Sequence, residues 1–128
     1  LMNIHPLEIF QAKKRISPHV ARTPLVRAHT LSDLCNAEIW CKLETMQPTG
    51  AFKLRGATNA ILRLNEEQRK LGVVAVSTGN HGRGVAYAAR EQGIRAIICL
   101  SSLVPKNKVE AIEALGADVR IVGNSQDE

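Results

Sequence analysis

Lys53 stands in the run Pro48-Thr49-Gly50-Ala51-Phe52-Lys53-Leu54-Arg55-Gly56-Ala57, where an extended pattern gives way to a helical one. A lysine becomes useful to carbonyl chemistry when it is fixed, partly desolvated and able to lose its proton. The positive end of a helix macrodipole favours the neutral amine. Phe52 offers a flat apolar face beside it, and Gly50 and Gly56 let backbone come close to a ligand. The plain alternative is a solvated lysine in the first turn of an amphipathic helix. For a lone lysine that reading would stand; these neighbours argue against it.

A second strand-to-helix turn is Ser77-Thr78-Gly79-Asn80-His81-Gly82-Arg83-Gly84. Its glycine spacing is not that of the dinucleotide fingerprint, which disfavours a nicotinamide or flavin dinucleotide. The plain reading is a tight turn that needs glycine. Against it, Ser77, Thr78, Asn80 and His81 crowd four hydrogen-bonding side chains onto a helix start, and free N–H groups there suit a carboxylate. His81 could serve as a general base, but a capping or carboxylate-binding role suits it better. Arg83, one turn into the helix, either meets a second substrate anion or sits in solvent. No metal is expected: His5, His19 and His29 lie in separate polar contexts without ligand spacing.

The two runs, PTGAFKLRGA and STGNHGRGVA, resemble the lysine segment and the asparagine loop of the threonine/serine dehydratase family. These are pyridoxal-phosphate enzymes of the tryptophan synthase β-like fold (fold type II). The resemblance runs from Ile9 to the end of the chain, and STGNHGRGVAYAA is most similar to the hydroxyectoine-utilisation dehydratase branch. It implies pyridoxal 5'-phosphate as cofactor, carried as a Schiff base on Lys53, which then acts as the base at Cα. Phe52, Lys53 and Asn80 are the implied cofactor contacts, with Asn80 at the phenolic oxygen. Ser77, Thr78, Gly79, Asn80 and His81 are implied to wrap the α-carboxylate of a small amino acid. The implied reaction eliminates water from a hydroxy-amino acid, threonine- or serine-like or hydroxyectoine-derived, to give a keto acid and ammonia.

Departures from the family pattern sharpen that expectation. Racemase members carry serine where this chain has Thr78. Threonine keeps the hydroxyl but adds a stiff methyl group, which speaks for elimination over racemisation. Gly82-Arg83 replaces the more usual Ala-Gln or Gly-Gln. The Ser-Val-Lys-Asp-Arg and Gly-Asn-Thr-Gly segments of cysteine synthases do not occur. Family members are more than twice as long and carry a glycine-rich loop for the cofactor phosphate and a polar partner for the pyridine nitrogen. The chain is therefore expected to be the amino-terminal portion of the fold. The competing readings are a racemase of the same fold and a non-catalytic binding or regulatory fragment.

The bulk properties agree with an enzyme of anionic ligands. At 128 residues and 45% hydrophobic the chain can bury one ordinary core, filled by Val, Ile, Leu and Ala because only 3% is aromatic. The net charge of +5 suits an anionic substrate and a phosphorylated cofactor. A nucleic-acid partner is not expected, since the basic residues are scattered and Phe10, Trp40, Phe52 and Tyr87 form no stacking stripe. Cys35, Cys41 and Cys99 are odd in number, with the latter two in apolar runs that read as buried thiols. No apolar run reaches the roughly 18–20 residues of a membrane span, so no membrane partner is expected. A cytoplasmic homo-oligomer is the expectation.

The positioning elements are legible in the pattern. A helix is predicted over residues 6–15, an extended segment over 23–27, a short helix through Leu34 capped by Thr30 or Ser32, and a strand over 38–43. A helix from Phe52 is predicted, with Ala57, Ala60, Ile61 and Leu64 as its apolar stripe. Then Gly72, Gly93 and Gly116 each precede an apolar strand, a rhythm of about 22 residues that argues for parallel strands with connecting helices. The polar stretch 65–70 is the candidate junction. Residues 1–66 are expected to form the amino-terminal part of a large cofactor domain, and 67–128 an incomplete small parallel α/β domain.

Overall fold

The protein is described here from a computed structural model covering residues 5–77 and 79–125. Helix α1 (Pro6–Ile16) starts at a capping box: the His5 side chain accepts from Leu7 N–H, while Glu8 accepts from the backbone N–H of His5. Ile16 is its one buried residue, whereas Leu7, Ile9 and Phe10 lie exposed. Strands β1 (Leu25–Arg27) and β2 (Trp40–Lys42) form an antiparallel ribbon with Val26 opposite Cys41. Helix α2 (His29–Cys35) joins them. The cap expected from Thr30 or Ser32 is not made: the N-cap is Ala28, with no side-chain bond. Ser32 is buried within the helix, where its hydroxyl donates to Ala28 C=O and accepts from Ile39 N–H, tying α2 to the entry of β2.

A single 3-10 turn (Glu44–Met46) leads to helix α3 (Lys53–Leu62). The polar stretch after Leu64 forms a short helix, α4 (Glu66–Leu71), started by reciprocal bonds between Asn65 and Gln68. Beyond it, β3 (Val73–Val76), β4 (Ala96–Leu100) and β5 (Asp118–Ile121) form a parallel sheet in that order. Helix α5 (Asn80–Glu91) links β3 to β4, and α6 (Lys106–Glu113) links β4 to β5. Gly72, Gly93 and Gly116, each ahead of one of these strands, follow the helix ends with φ of +87°, +63° and +83°.

One apolar core holds these parts together. Leu54, Ala57 and Ile61 of α3 meet Val85, Ala86, Ala88 and Ala89 of α5, over Ile98 and Leu100 of the central strand and Ile112 of α6. The α5 face is almost all alanine, so α3 can approach closely, and a single cluster runs from residue 54 to residue 117. Ile61 is among its buried members. Cys41 and Cys99 are only half-buried and Cys35 is exposed, so the buried thiols expected of the apolar runs are not found.

Candidate active site

The start of α3 is fixed by a polar network. Arg55 clasps Glu44 with two bonds, Nε to Oε2 at 2.9 Å and one terminal nitrogen to Oε1 at 2.7 Å. Thr23 Oγ1 donates to Glu44 Oε1 at 2.6 Å, and Gln47 Nε2 donates to Glu44 Oε2 at 3.2 Å. Arg55 and Gln47 also donate to Ala21 C=O, and Lys42 donates to Thr23 C=O. The Arg55 guanidinium is the main reason that the Glu44 carboxyl is held at about 2, helped by Thr23 and Gln47 against the opposing effect of burial. Glu44 in turn pushes the Arg55 pKa upward. Since Arg55 lies two residues after Lys53, this clasp orients the helix start that carries the lysine.

Lys53 is the first residue of α3, with Phe52 at the N-cap position. Both side chains are exposed, and Lys53 Nζ lies 5.5 Å from the centroid of the Phe52 ring. The partial desolvation expected of this lysine is therefore not supplied by the described residues. In the loop leading to it, Gly50 has φ +71°, and Thr49 is buried with its hydroxyl lacking a partner.

The start of α5 is built differently. Ser77 N–H donates to Cys99 C=O, extending the β3–β4 ladder by one bond, and Ser77 Oγ accepts from Gly79 N–H at 3.3 Å. Gly79 is the N-cap and makes no side-chain cap bond, and the first turn holds no acidic residue. Among the described residues nothing caps the N–H groups of Asn80, His81 and Gly82, where the helix dipole favours an anion. Asn80 and His81, the first two helical residues, are exposed. His81 is not the cap that was one expectation for it. Thr78 lies outside the described residues.

Close backbone approach brings the two turns together. A Cβ on Gly84 would lie 3.3 Å from Lys53 C and from Leu54 N, and one on Gly82 only 2.8 Å from Ser77 C=O and 3.1 Å from Ile98 Cγ2. Glycine at 84 lets α5 lie against the backbone of Lys53, and glycine at 82 lets β3 turn directly into α5. Gly79 and Asn80 line a cavity of about 190 Å³ with Arg83, Lys108 and Ile112. Lys53 and Phe52 do not line it. Sequence reasoning singled out the Lys53 and Asn80 turns but missed the Thr23–Glu44–Gln47–Arg55 network, whose members are scattered over 33 positions and carry no local signal. It also missed Lys108.

A lysine amine on one helix start, with an aromatic ring beside it, thus lies on backbone against which the neighbouring helix packs through Gly84. Residues 16–128 match the pyridoxal-phosphate dependent enzyme family, and the chain belongs to it. It is 55% identical over its whole length to a protein of Sinorhizobium fredii provisionally named threonine dehydratase, of which it spans 39%. It is 45% identical to the L-threonine ammonia-lyase of Thermotoga maritima, with 94% of this chain matched to 30% of that protein. The fold superposes on maize serine racemase with a TM-score of 0.88 at 38% identity, covering 94% of this chain and 36% of that one. The chain thus spans between 30% and 39% of the length of these relatives. The expected family and the expected fold type II are borne out.

The residues present fit the aldehyde and ring ends of pyridoxal phosphate. Lys53 would supply the amine, Phe52 the flat neighbour, Thr49 Oγ1 an unspent hydroxyl in the loop before them, and Asn80 a polar group on the turn packed alongside. Outside residues 79–84 the glycines are spaced singly, so no second turn of this sequence has the make-up of a phosphate cradle.

Proposed function

We propose that this chain carries the lysine and the carboxylate-binding turn of a pyridoxal-phosphate-dependent lyase that removes water from a small hydroxy-amino acid. The observation that carries the reading is the backbone contact at Gly84, which packs the uncapped start of α5 against Lys53. In this reading residues 1–66 contribute to a cofactor lobe and 67–128 to a smaller lobe bearing the substrate turn.

When bound, the cofactor supplies an electron sink for negative charge at Cα. Lys53 Nζ would hold the cofactor's aldehyde carbon at rest and, when free, would be the base that takes the Cα proton. Asn80 donates to the cofactor's phenolic oxygen. The N–H groups of residues 80–82, with Ser77, Thr78 and His81, hold the α-carboxylate so that the Cα–H bond faces Lys53. Loss of the β-hydroxyl gives an enamine, which takes up water and releases ammonia and a keto acid. Threonine, serine and hydroxyectoine-derived amino acids are the candidate substrates, and the assembled enzyme is a cytoplasmic homo-oligomer.

The test is borohydride reduction of the full-length protein loaded with cofactor, followed by peptide mapping. The pyridoxyl label is expected on Lys53, and turnover should vanish in Lys53→Ala. A label on Lys42 or Lys106 would sink the assignment. The likeness to maize serine racemase supports a second reading, racemisation. Following D-amino acid and keto acid together separates the two: keto acid should dominate in the native enzyme, and Thr78→Ser should raise the D-amino acid share.

A further inference from the structure

The cavity at the start of α5 is lined by two cations that have no ion-pair partner among the described residues. Arg83 is the fourth residue of α5 and Lys108 the third of α6, so both stand near helix N-termini, where a positive side chain is disfavoured. Neither first turn carries an acidic residue. Other cations of the fold do have such partners, among them Arg55 with Glu44, Arg95 with Asp118 and Lys106 with Glu110. The side chains of Arg83 and Lys108 have no hydrogen-bond or ion-pair partner among the described residues. Arg83 Nε is buried as well, a guanidinium N–H withdrawn from water and left unsatisfied. The floor of the cavity is Ile112, 1% exposed, which lowers the local polarity and strengthens any charge pair formed above it.

Resting on the proposed role of the α5 turn as the α-carboxylate site, we infer that Arg83 and Lys108 bind a second carboxylate of the same substrate. The substrate class is then an acidic β-hydroxy-amino acid, a four-carbon diacid of the hydroxyaspartate type. The N–H groups of Asn80 and His81 open α5, and Arg83 follows Asn80 by three residues, so the two anion positions are separated by about one helical turn, ~5 Å. That matches the span of a four-carbon backbone, three C–C bonds of ~1.5 Å each. A guanidinium fork with an unspent Nε–H suits a carboxylate, and the lysine adds a second charge on the opposite wall. The methyl group of threonine would leave both cations unpaired.

The test uses the full-length, cofactor-loaded protein and two unreactive probes, succinate and butyrate, titrated by calorimetry. Succinate should bind at least about tenfold more tightly than butyrate, the effect of one charge-assisted contact. In Arg83→Gln that ratio should fall to near one, in Lys108→Gln it should fall severalfold, and Arg83→Lys should restore part of it. Turnover of threo-3-hydroxyaspartate against threonine should follow the same order. Equal affinity for the two probes in the native protein, or a ratio unchanged in both glutamine variants, overturns the inference. So does tight binding of inorganic phosphate without any preference for succinate, because the pair would then be a free-anion site. A clear succinate preference with no keto acid formed from any hydroxy-amino acid would fail the lyase reading while upholding the cation pair.

Discussion

Helices α3 and α5 begin side by side, yet their first turns are stabilised by opposite means. The α3 turn is held from outside by side chains: Arg55 reaches back to Glu44, which also takes Thr23 and Gln47. The α5 turn is held by the absence of side chains, with Gly82 against Ser77 C=O and Gly84 against the backbone of Lys53 and Leu54. The first arrangement fixes where a lysine emerges and leaves its amine over the Phe52 ring. The second leaves N–H groups that no described residue caps. A positively charged group is presented by one helix start and a negatively charged group can be received by its neighbour. The macrodipole alone does not set the role of a helix terminus; the residues that restrain it do.

The sharpest way to break the comparison is to unlock the α3 turn. Glu44→Ala strands the Arg55 guanidinium and should cost roughly 3 kcal/mol in urea unfolding, with the double mutant Glu44→Ala/Arg55→Ala recovering part of that loss. An additive double mutant would mean that the two charges do not act as a unit. The same pair predicts an acid limit. Its carboxyl is lowered from 4.5 to about 2, so the stability it contributes is complete above about pH 5 and fades as the pH falls toward 2. Unfolding midpoints of native protein and Glu44→Gln should converge over that window, by an amount on the order of 2 kcal/mol.

Filling the α5 turn should have the next largest effect. Gly82→Ala sets a methyl group 2.8 Å from Ser77 C=O and against Ile98, where backbone and a fully buried side chain must move. A loss of about 2 kcal/mol is expected, as for overpacking. Gly56→Ala, whose Cβ meets nothing within 4 Å, should be neutral or mildly stabilising in the middle of α3. Equal effects at Gly82 and Gly56 would erase the distinction drawn between a glycine required by close approach and one that is not.

The smallest expected effect belongs to Ser77. Its hydroxyl accepts from Gly79 N–H and so shapes the turn that is proposed to receive the carboxylate. Ser77→Ala should raise KM for the amino acid by about tenfold while leaving the lysine label intact, a loss near 1.4 kcal/mol. Unchanged KM in both Ser77→Ala and Asn80→Ala would count decisively against this turn as the substrate site.

The sequence by itself determined the local parts. The glycines at 72, 93 and 116 marked helix ends because only a left-handed backbone fits there, and the apolar runs behind them became parallel strands. The order lysine-turn then asparagine-turn was legible because each motif is contiguous in sequence. Tertiary structure alone decided what those parts meet. Thr23, Glu44, Gln47 and Arg55 converge through the folding of three separate segments, so no spacing announced them. Ser32, expected at a helix cap, was drawn inward to bond Ile39 N–H, a long-range demand that overrode its local preference. Arg83 was visible as an ambiguous charge, but its role depended on Lys108 arriving from α6 to share the cavity, and charge pairing across a fold is set by packing rather than by neighbours in the chain.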